Sequence, residues 1–447
     1  MENRNVFINA IKLVLPFVGL LLLIGLGVYL VNTKNLPMGE KVTIRWVVDP
    51  HPIRKESITL FEKKHPNIHV INDPDAGPQR LLTQIAGDVP PDVMAIYEPS
   101  ILYIFAQNDL LLDLSPYVKE YNIPVDDLYP QLDPYVRVGK KIVGIPENCG
   151  TYVVFYNKKL FREAGVPYPR PGWTWDECLD SAKKLTKYRV VNGRKVAVQK
   201  GIYIADSMAN YFAWINGGSM FSPDGKKCIV DSEAAKKGMR FFADMKLKYR
   251  VIPSASEAQS MAPTGGYGGD LLLFAQGKVA MVIVGRWLIS EYRLHKDLEW
   301  ATTAMPISPN HVVPFTSKCY AIPKNCKHKK EAIQFICHLL SRDNEDLVAS
   351  YGDGLPTRRN KQIVKDFLYD PKYPKETSNQ LYIDELKWGR ITEWSHYIDN
   401  TDVNAIVGME VSKMWLGSQG PDETCDKIAM QINDIINRNL ANPNFLR

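Results

Sequence analysis

The sequence predicts an α/β fold preceded by one N-terminal transmembrane helix. From residue 42 onward, short β-branched runs alternate with stretches of helical periodicity, the pattern expected of α/β proteins. Before them lies a long apolar stretch, Leu13–Val31. Hydrophobic residues make up 45% and charged residues 23% of the 447 residues, a balance that excludes a mostly disordered chain.

The apolar stretch Leu13–Val31 is predicted to span a membrane. As a helix it rises about 28 Å, close to the thickness of the hydrocarbon core, and no charged residue lies between Lys12 and Lys34. It is longer than the apolar part of a secretory signal and lacks a good small-residue cleavage site. We therefore expect residues 1–38 to be retained as a single-pass anchor in the cell membrane, with the body on the periplasmic or extracellular side. A cleaved signal and a buried core helix are the alternatives.

The first part of the body alternates strands with helices. Strands are predicted where β-branched residues run together, and helices where apolar residues recur at helical spacing. In chain order the predicted elements are strand Val42–Val48, helix Arg54–Lys64, strand His69–Asn72, helix Gln79–Ala86, strand Asp92–Tyr97, helix Ile101–Gln107, and strands Ile142–Ile145 and Tyr152–Tyr156.

The second part contains clearer boundary signals. Thr174–Glu177 fits a capping box, which starts a helix that runs to about Lys187. The basic, glycine-containing Tyr188–Gly201 is typical of an exposed hairpin, and Asp231 and Asp343 are placed to cap helices. The other predicted elements are helices Ala209–Asn216 and Ser232–Lys248, loop Gly265–Gly269, helix Asp270–Gln276, strands Val279–Val284 and Ser317–Ile322, helix Lys329–Leu340, and the mostly helical Asp384–Asn439.

Composition and motifs exclude several functional classes. Lysine and arginine number 55 against 49 acidic residues, a net charge of +6 without a basic stripe, so no nucleic-acid partner is predicted. Phosphate-loop, zinc-protease and nucleophile-elbow motifs do not occur, so we predict no catalytic residue, no metal and no cofactor. A glycosidase pair among the many carboxylates stays open. The seven cysteines leave at least one free thiol, and a disulfide between Cys319 and Cys326 also stays open.

A series of short motifs resembles the extracellular solute-binding proteins of ABC importers, the sugar-binding family that includes maltose-binding protein. Each motif alone is weak, but their order across residues 42–357 makes the match specific. They are Phe61–Ile68 (FEKKHPNI, resembling F-E-x-x-x-P-x-I), Gly87–Val93 (GDVPPDV), Gly139–Pro146 (GKKIVGIP), Tyr156–Phe161 (YNKKLF), Trp173–Glu177 (WTWDE), Phe274–Met281 (FAQGKVAM), Gly285–Trp287 (GRW, in place of G-x-W), Ser317–Lys324 and Leu355–Thr357.

The resemblance implies a two-lobed fold of the type II periplasmic-binding-protein kind, with a hinge and a ligand cleft between the lobes. Lobe 1 is expected to comprise residues 40–148 and 302–352, and lobe 2 residues 149–301 and 353–447. The resemblance also implies a monomeric, non-enzymatic binding component. It would capture a carbohydrate by closing its lobes, and the permease subunits of an ABC transporter would read the closed state.

Sugar ligands call for aromatic platforms and hydrogen-bonding groups. Trp287 occupies the position of the family's stacking tryptophan. Arg286 departs from the family's small or neutral residue, and it could pair with an acidic sugar or with a neighbouring carboxylate. The other candidates are aromatic residues of a lobe 2 helix (Tyr211 and Trp214), residues that follow strand ends (Asp49, Tyr97 and Glu98) and residues of the first hinge crossing (Glu147, Asn148 and Tyr152).

Three other functions stay open on the sequence. An exported enzyme, such as a glycosidase or lyase, could use the same kind of cleft, and a turnover assay would distinguish it. A sensor or scaffold could have the fold without a transport partner. A protein of this fold could also bind a peptide, a polyamine or an anion, in which case charge would dominate the cleft.

Overall fold

The computed structural model describes residues 41–74, 77–261, 269–373, 376 and 378–442. The predicted anchor Leu13–Val31 and most of the predicted loop Gly265–Gly269 lie outside these residues. Within the described ranges, no helix combines the length and the apolar character needed to cross a membrane.

The strands form two main sheets and one small hairpin. The first sheet has the order β13-β12-β3-β1-β2, with β6 also paired to β12, and the second has the order β11-β7-β10-β9-β8. The strands are β1 (Val42–Val48), β2 (Ile68–Pro74), β3 (Val93–Ile96), β4 (Arg137–Val138), β5 (Lys141–Ile142), β6 (Ile145–Thr151), β7 (Val153–Asn157), β8 (Lys187–Val191), β9 (Arg194–Tyr203), β10 (Val279–Val284), β11 (Trp300–Thr303), β12 (Val313–Ala321) and β13 (Gly389–Arg390).

Helices connect the strands, and their alternation with the strands confirms the predicted α/β class. The described α-helices are Ile53–Lys64, Gly77–Ala86, Pro99–Gln107, Ser115–Glu120, Lys158–Glu163, Trp175–Leu185, Ala209–Trp214, Glu233–Ala243, Ala255–Met261, Ile289–Leu294, Lys329–Leu339, Arg342–Tyr351, Lys361–Leu368, Asn379–Glu385, Asn400–Trp415 and Pro421–Leu440. A π-helical turn, Asp244–Lys248, extends one of them, and a short 3₁₀ helix, Arg286–Leu288, follows β10.

Of the three predicted helix caps, the capping box at Thr174 is confirmed and those at Asp231 and Asp343 are wrong. In Thr174–Glu177 the threonine hydroxyl accepts the glutamate N–H at 3.2 Å, and the glutamate carboxylate accepts the threonine N–H at 2.7 Å, which confirms the capping box. Asp231 and Asp343 do not cap their helices, because the chain turns from extended to helical at Ser232 and Ser341. Asp343 lies in the first turn instead, where a negative charge is still favourable.

The chain passes from one sheet to the other where the two sheets meet. Tyr152 separates β6 of the first sheet from β7 of the second, and the return crossing joins β11 to β12. Strand pairing extends the first sheet to Thr151 and the second sheet to Thr303. The predicted lobe boundaries near residues 149 and 302 stay a prediction, since residues at a crossing belong to the hinge as much as to a lobe.

All seven cysteines are free thiols. The thiol of Cys319 lies 3.6 Å from the backbone oxygen of Ile96, whereas the thiol of Cys326 lies 3.3 Å from the carboxylate of Asp92. The disulfide that the sequence left open between these two cysteines therefore does not form.

Candidate ligand site between the two sheets

Two cavities lie between the sheets and share part of their lining. The smaller has a volume of about 420 Å³ and the larger a volume of about 650 Å³. Tyr97, Tyr152 and Thr316 line both of them, so together they form one cleft. Residues that follow strand ends, such as Tyr97 after β3 and Trp287 after β10, lie in its walls, as is usual for ligand sites of α/β sheets.

The indole of Trp287 is half-buried in the smaller cavity. The ring of Tyr152 meets it edge-on, with 5.3 Å between the ring centroids and 77° between the planes. Gly285 makes this placement possible, because a Cβ atom there would lie 1.8 Å from the indole. The side chain can therefore fold back across the end of β10 only where its neighbour has no side chain.

Five charged side chains form an ion-pair cluster that borders the smaller cavity. The guanidinium of Arg54 donates to Glu147 at 3.0 Å, to Asp353 at 2.7 Å and to Asp49 at 3.1 Å. The Nζ atom of Lys318 lies 3.2 to 3.4 Å from the same three carboxylates. Burial opposes ionisation of Asp49, but the charges of Lys318 and Arg54 outweigh it and lower the pKa of Asp49. Both cations are thus paired with carboxylates within the cluster.

Hydrogen bonds hold the cluster to the cleft walls. The Tyr97 hydroxyl donates to a carboxylate oxygen of Asp49 at 3.0 Å and accepts the Asp49 backbone N–H at 3.1 Å. The Asn148 side-chain amide donates to the backbone oxygen of Asp353, and the Asn148 backbone oxygen accepts the Ser317 hydroxyl at 2.6 Å. These bonds fix the polar groups that a ligand would meet.

Aromatic side chains line much of the larger cavity. Tyr211 and Trp214 lie on the helix Ala209–Trp214, and Trp394 lies in the segment that follows β13. The guanidinium of Arg390 lies 4.9 Å from the centroid of the Trp214 ring and is paired with Glu393. The indole N–H groups of Trp214 and Trp394 are buried, and no acceptor reaches them among the described residues. Buried donors of this kind are rare unless another group satisfies them.

Three contacts join the two sides of the cleft, and one of them, between Asn400 and Glu98, lies in the wall of the larger cavity. The side-chain amide of Asn400 donates to Glu98, and the amide of Gln79 donates to the hydroxyl of Thr401 at 3.1 Å. The rings of Tyr103 and His396 lie 4.2 Å apart. In each pair, one residue belongs to the side of the cleft that is built on the first sheet. The other belongs to the segment 396–401, at or just before the start of the helix Asn400–Trp415.

The structure brings most of the predicted site residues together. Those that line the cleft are Asp49, Tyr97, Glu98, Asn148, Tyr152, Tyr211, Trp214 and Trp287. Their contact with a ligand stays a prediction.

Glu147, also predicted for the site, is 1% exposed and lines neither cavity. Its carboxylate is bound by Arg54, by Lys318 and by the Tyr320 hydroxyl at 2.9 Å. Glu147 therefore supports the ion-pair cluster from behind. The physical reason is that neighbouring residues of a strand point to opposite faces, so Asn148 faces the cleft and Glu147 does not.

Arg286 also turns away from the cleft. It is 1% exposed and donates to Asn379 at 3.3 Å and to the backbone oxygens of Ala349 and Gly354 at 3.0 and 3.1 Å. Its guanidinium lies 4.8 Å from the ring centroid of Phe367. Burial lowers the pKa of Arg286 to about 10. These contacts do not include the expected pairing with an acidic sugar or a carboxylate. Arg286 instead joins the chain after β10 to the segment around Gly354.

Several cleft residues escaped the sequence analysis. Lys318 lies inside a recognised motif, and Asp353 precedes another by two residues, so the motif positions were the available signal. Arg390 and Glu393 lie beyond residue 357, where the resemblance ended, and no local pattern marks them. Trp388, Trp394 and Tyr397 are open to either a place in the cleft or a place in the core between helices on the sequence, and of these three Trp394 lines the cleft. In the part of the chain that the structure describes, no group of histidine, cysteine or carboxylate side chains is arranged to hold a metal ion.

Comparison with known proteins identifies the family. The family model "Bacterial extracellular solute-binding protein" matches residues 50–346. An uncharacterised lipoprotein of Streptomyces antibioticus is 28% identical over 75% of this chain and 74% of its own length. The multiple sugar-binding protein of Streptococcus mutans is 24% identical over 72% of this chain and 78% of its own length.

Solved structures share the fold. An ABC substrate-binding protein of Listeria monocytogenes in complex with cycloalternan has a TM-score of 0.76 at 22% identity, covering 90% of this chain and 99% of that one. A maltose/maltodextrin-binding domain from Bdellovibrio bacteriovorus bound to maltotriose has a TM-score of 0.71 at 18% identity, covering 90% and 100%. The chain belongs to the family of bacterial extracellular solute-binding proteins and has their two-lobed α/β fold.

Proposed function

We propose that this chain is the carbohydrate-capturing subunit of an ABC importer. The observation that carries the proposal is the composition of the cleft, where aromatic rings and hydrogen-bonding groups face the same space from both sides. Trp287 offers a flat apolar surface for a sugar ring, and the buried N–H groups of Trp214 and Trp394 require acceptors that sugar hydroxyls would supply.

The charges of the cleft favour a neutral carbohydrate over an anionic one. Among the described residues the lining contains two cations and five carboxylates, namely Lys318 and Arg390 against Asp49, Glu98, Asp206, Asp353 and Glu393. Both cations already pair with carboxylates. An anionic sugar would therefore meet no unengaged cation there, whereas carboxylates are good acceptors for sugar hydroxyls.

The names of related proteins support the same ligand class. The relative from Streptococcus mutans is a multiple sugar-binding protein, and one from Bacillus subtilis is an arabinooligosaccharide-binding protein. The neighbours from Listeria and Bdellovibrio hold cycloalternan and maltotriose.

Capture would proceed by closure about the hinge. A sugar that stacks on Trp287 and bonds to Asp49 or Glu98 touches both sheets and so favours the closed state over the open one. The permease subunits would read that state. In this scheme lobe 1 comprises residues 40–148 and 302–352, lobe 2 comprises residues 149–301 and 353–447, and the chain acts as a monomer without turnover of its ligand.

We also propose that residues 1–38 tether the protein outside the cytoplasm. The uncharged stretch Leu13–Val31 supports an anchor, and confinement to the membrane would raise the effective concentration near the permease. N-terminal sequencing of membrane fractions tests this part, and a mature start near residues 33–40 would contradict it.

The ligand experiment uses titration calorimetry with neutral oligosaccharides and with matched uronic acid oligosaccharides. We expect binding of a neutral sugar, and at least a tenfold loss of affinity in Trp287→Ala, because a binding hot spot contributes about 2 kcal/mol or more. Trp388→Ala is the matched control, since Trp388 is 43% exposed and lines neither cavity. Sustained release of products from the sugar, or preference for the acidic sugars, would contradict the proposal.

A further inference from the structure

The β8–β9 hairpin projects from the edge of the second sheet. A two-residue turn, Asn192-Gly193, joins the strands, and both of its residues have positive φ angles of 49° and 76°, as a tight hairpin turn requires. Every residue from Arg189 to Val196 is exposed, and we call this segment the hairpin tip. Since β8 is the last strand of the sheet, nothing among the described residues pairs with its outer edge.

The hairpin is strongly basic. Between Asp180 and Asp206 the sequence has seven lysine or arginine residues and no acidic residue. Lys183 and Lys200 form ion pairs. The remaining five form no ion pair with any carboxylate in the described part of the chain. They are Lys184, Lys187, Arg189, Arg194 and Lys195. Three of these five lie in the hairpin tip.

The hairpin tip also presents apolar side chains beside the cations. In the strand register, Arg189 pairs with Val196 and Val191 pairs with Arg194, so two arginines and two valines share one face. On the other face Val190 is 73% exposed. Cations on an edge strand are a common protection against aggregation, but exposed valines have the opposite effect. Edge protection alone therefore does not account for this surface.

The hairpin tip lies far from the cleft. Strand β9 runs from Arg194 to Tyr203 and leads into Asp206 and Met208, which line the larger cavity. Ten strand residues span about 30 Å. A partner on the hairpin tip would therefore leave the cleft open.

We propose that the hairpin tip docks on the anionic phospholipid surface of the membrane beside which the protein works. Arginine forms paired hydrogen bonds with phosphate groups, and exposed valines can bury apolar surface at the headgroup level. Basic residues near such a surface are attracted by its negative potential. The inference adds a membrane contact to the proposed function and is independent of sugar binding.

The experiment reports on the hairpin tip itself, since the full chain carries its own apolar N-terminal stretch. The full chain with Val190→Cys, labelled with a polarity-sensitive fluorophore, is reconstituted in phosphatidylcholine vesicles with and without phosphatidylglycerol. The matched position is Leu294→Cys, because Leu294 is 72% exposed, close to the 73% of Val190. The native cysteines are buried or half-buried, and the unsubstituted chain measures their background labelling.

We expect a blue shift of the Val190 label only in anionic vesicles, and none for the Leu294 label. Each basic residue near an anionic surface strengthens attachment about fivefold. Arg189→Glu/Arg194→Glu/Lys195→Glu should thus weaken it at least about 100-fold and abolish the shift. The control Lys329→Glu/Lys330→Glu/Lys361→Glu has the same change of charge at exposed residues in the first turns of helices, and should keep it.

Raising the salt concentration should also reverse the blue shift of the Val190 label in the chain without the charge reversals, because salt screens exposed charges. This measurement does not depend on whether the triple variant folds. Equal shifts in both kinds of vesicle, no shift in either, or a shift that needs permease in the vesicle would each overturn the proposal. Sugar affinity, measured on the same samples, reports separately on the proposed function.

Discussion

Arg54 links the ligand cleft to the stability of the fold. Its side chain is 1% exposed and bonds three carboxylates at once. We expect Arg54→Met to lower the free energy of unfolding by about 3–5 kcal/mol, because it leaves three carboxylates with Lys318 as their one remaining cation in the cluster. In Arg162→Met the loss should be much smaller, since Arg162 bonds Glu299 in a solvent-exposed pair. Chemical denaturation measures both, and similar losses would contradict this account.

Glu345 makes the stability of the fold depend on pH. Burial raises its pKa from 4.5 to about 7, although Arg358 lies 3.0 Å away and opposes the rise. The folded state therefore holds this proton more tightly than the unfolded state. The stabilising contribution is complete below about pH 4.5 and is lost as the pH rises through about 7.

Glu345→Gln removes this titration while keeping a group that can bond Arg358. Relative to the natural chain, we expect the variant to become more stable as the pH rises from about 5 to about 8, because only the natural chain loses the stabilising contribution of Glu345. Denaturation at a series of pH values measures the difference. A difference that does not change with pH would show that Glu345 titrates normally.

Two pairs of neighbouring residues show how far the sequence could define the site. Asn148 and Trp287 line the cleft, whereas Glu147 and Arg286 beside them are buried behind it. The sequence locates the end of a strand, but it does not tell which of two adjacent side chains faces the ligand. In strand β6 a shift of one residue would reverse the assignments of Glu147 and Asn148. Arg286 and Trp287 lie in the short 3₁₀ helix after β10, so strand alternation does not apply to them.

At the scale of elements, the turn after β10 determines the position of Trp287, the proposed stacking platform. Gly285 has φ −83° and ψ 178°, a conformation open to any residue. Only its missing side chain matters, because a Cβ atom would lie 1.8 Å from the Trp287 ring. We expect Gly285→Ala to displace the indole and to lower sugar affinity about tenfold, as Trp287→Ala does.

The matched variant for this turn is Gly420→Ala. Gly420 also has extended backbone, with φ −82° and ψ 167°, and a Cβ atom there would have no neighbour within 4 Å. Titration calorimetry should give unchanged affinity for this variant. If both alanine variants bind the sugar as the natural chain does, the position of the indole does not matter for binding.

For the whole molecule, we expect the contacts across the cleft to determine the free energy needed to open its two sides. The pairs Gln79–Thr401 and Tyr103–His396 join its two sides and line neither cavity. Each contributes on the order of 1 kcal/mol to the closed state. We expect Gln79→Ala/Tyr103→Ala to weaken sugar binding about tenfold without touching the sugar.

Tyr117→Ala is the control for closure, because Tyr117 packs against Tyr121 within one side of the molecule. Calorimetry gives the affinities, and small-angle scattering of the ligand-free protein should show a larger radius of gyration for the double variant alone. Unchanged affinity of the double variant would mean that these contacts do not stabilise the closed state.

The order of the helices and strands could be predicted from the sequence, but their arrangement in space could not. Strands such as Val42–Val48 follow from β-branched runs, and the Thr174–Glu177 cap follows from local chemistry. The helix Lys361–Leu368 was missed although it has an apolar face, Ile363 and Phe367, because it is short. The pairing of β6 with β12 joins residues too far apart for any local pattern to reveal.

The bond between Arg54 and Asp353 spans 299 positions of the chain. Contacts this distant form only after a large loss of chain entropy, and proteins rich in them fold slowly. A growing chain must be synthesised as far as Asp353, in a total of 447 residues, before Arg54 finds all its partners. A slow approach to the native state suits the export proposed above, because a translocating chain has to stay unfolded until it reaches the other side of the membrane.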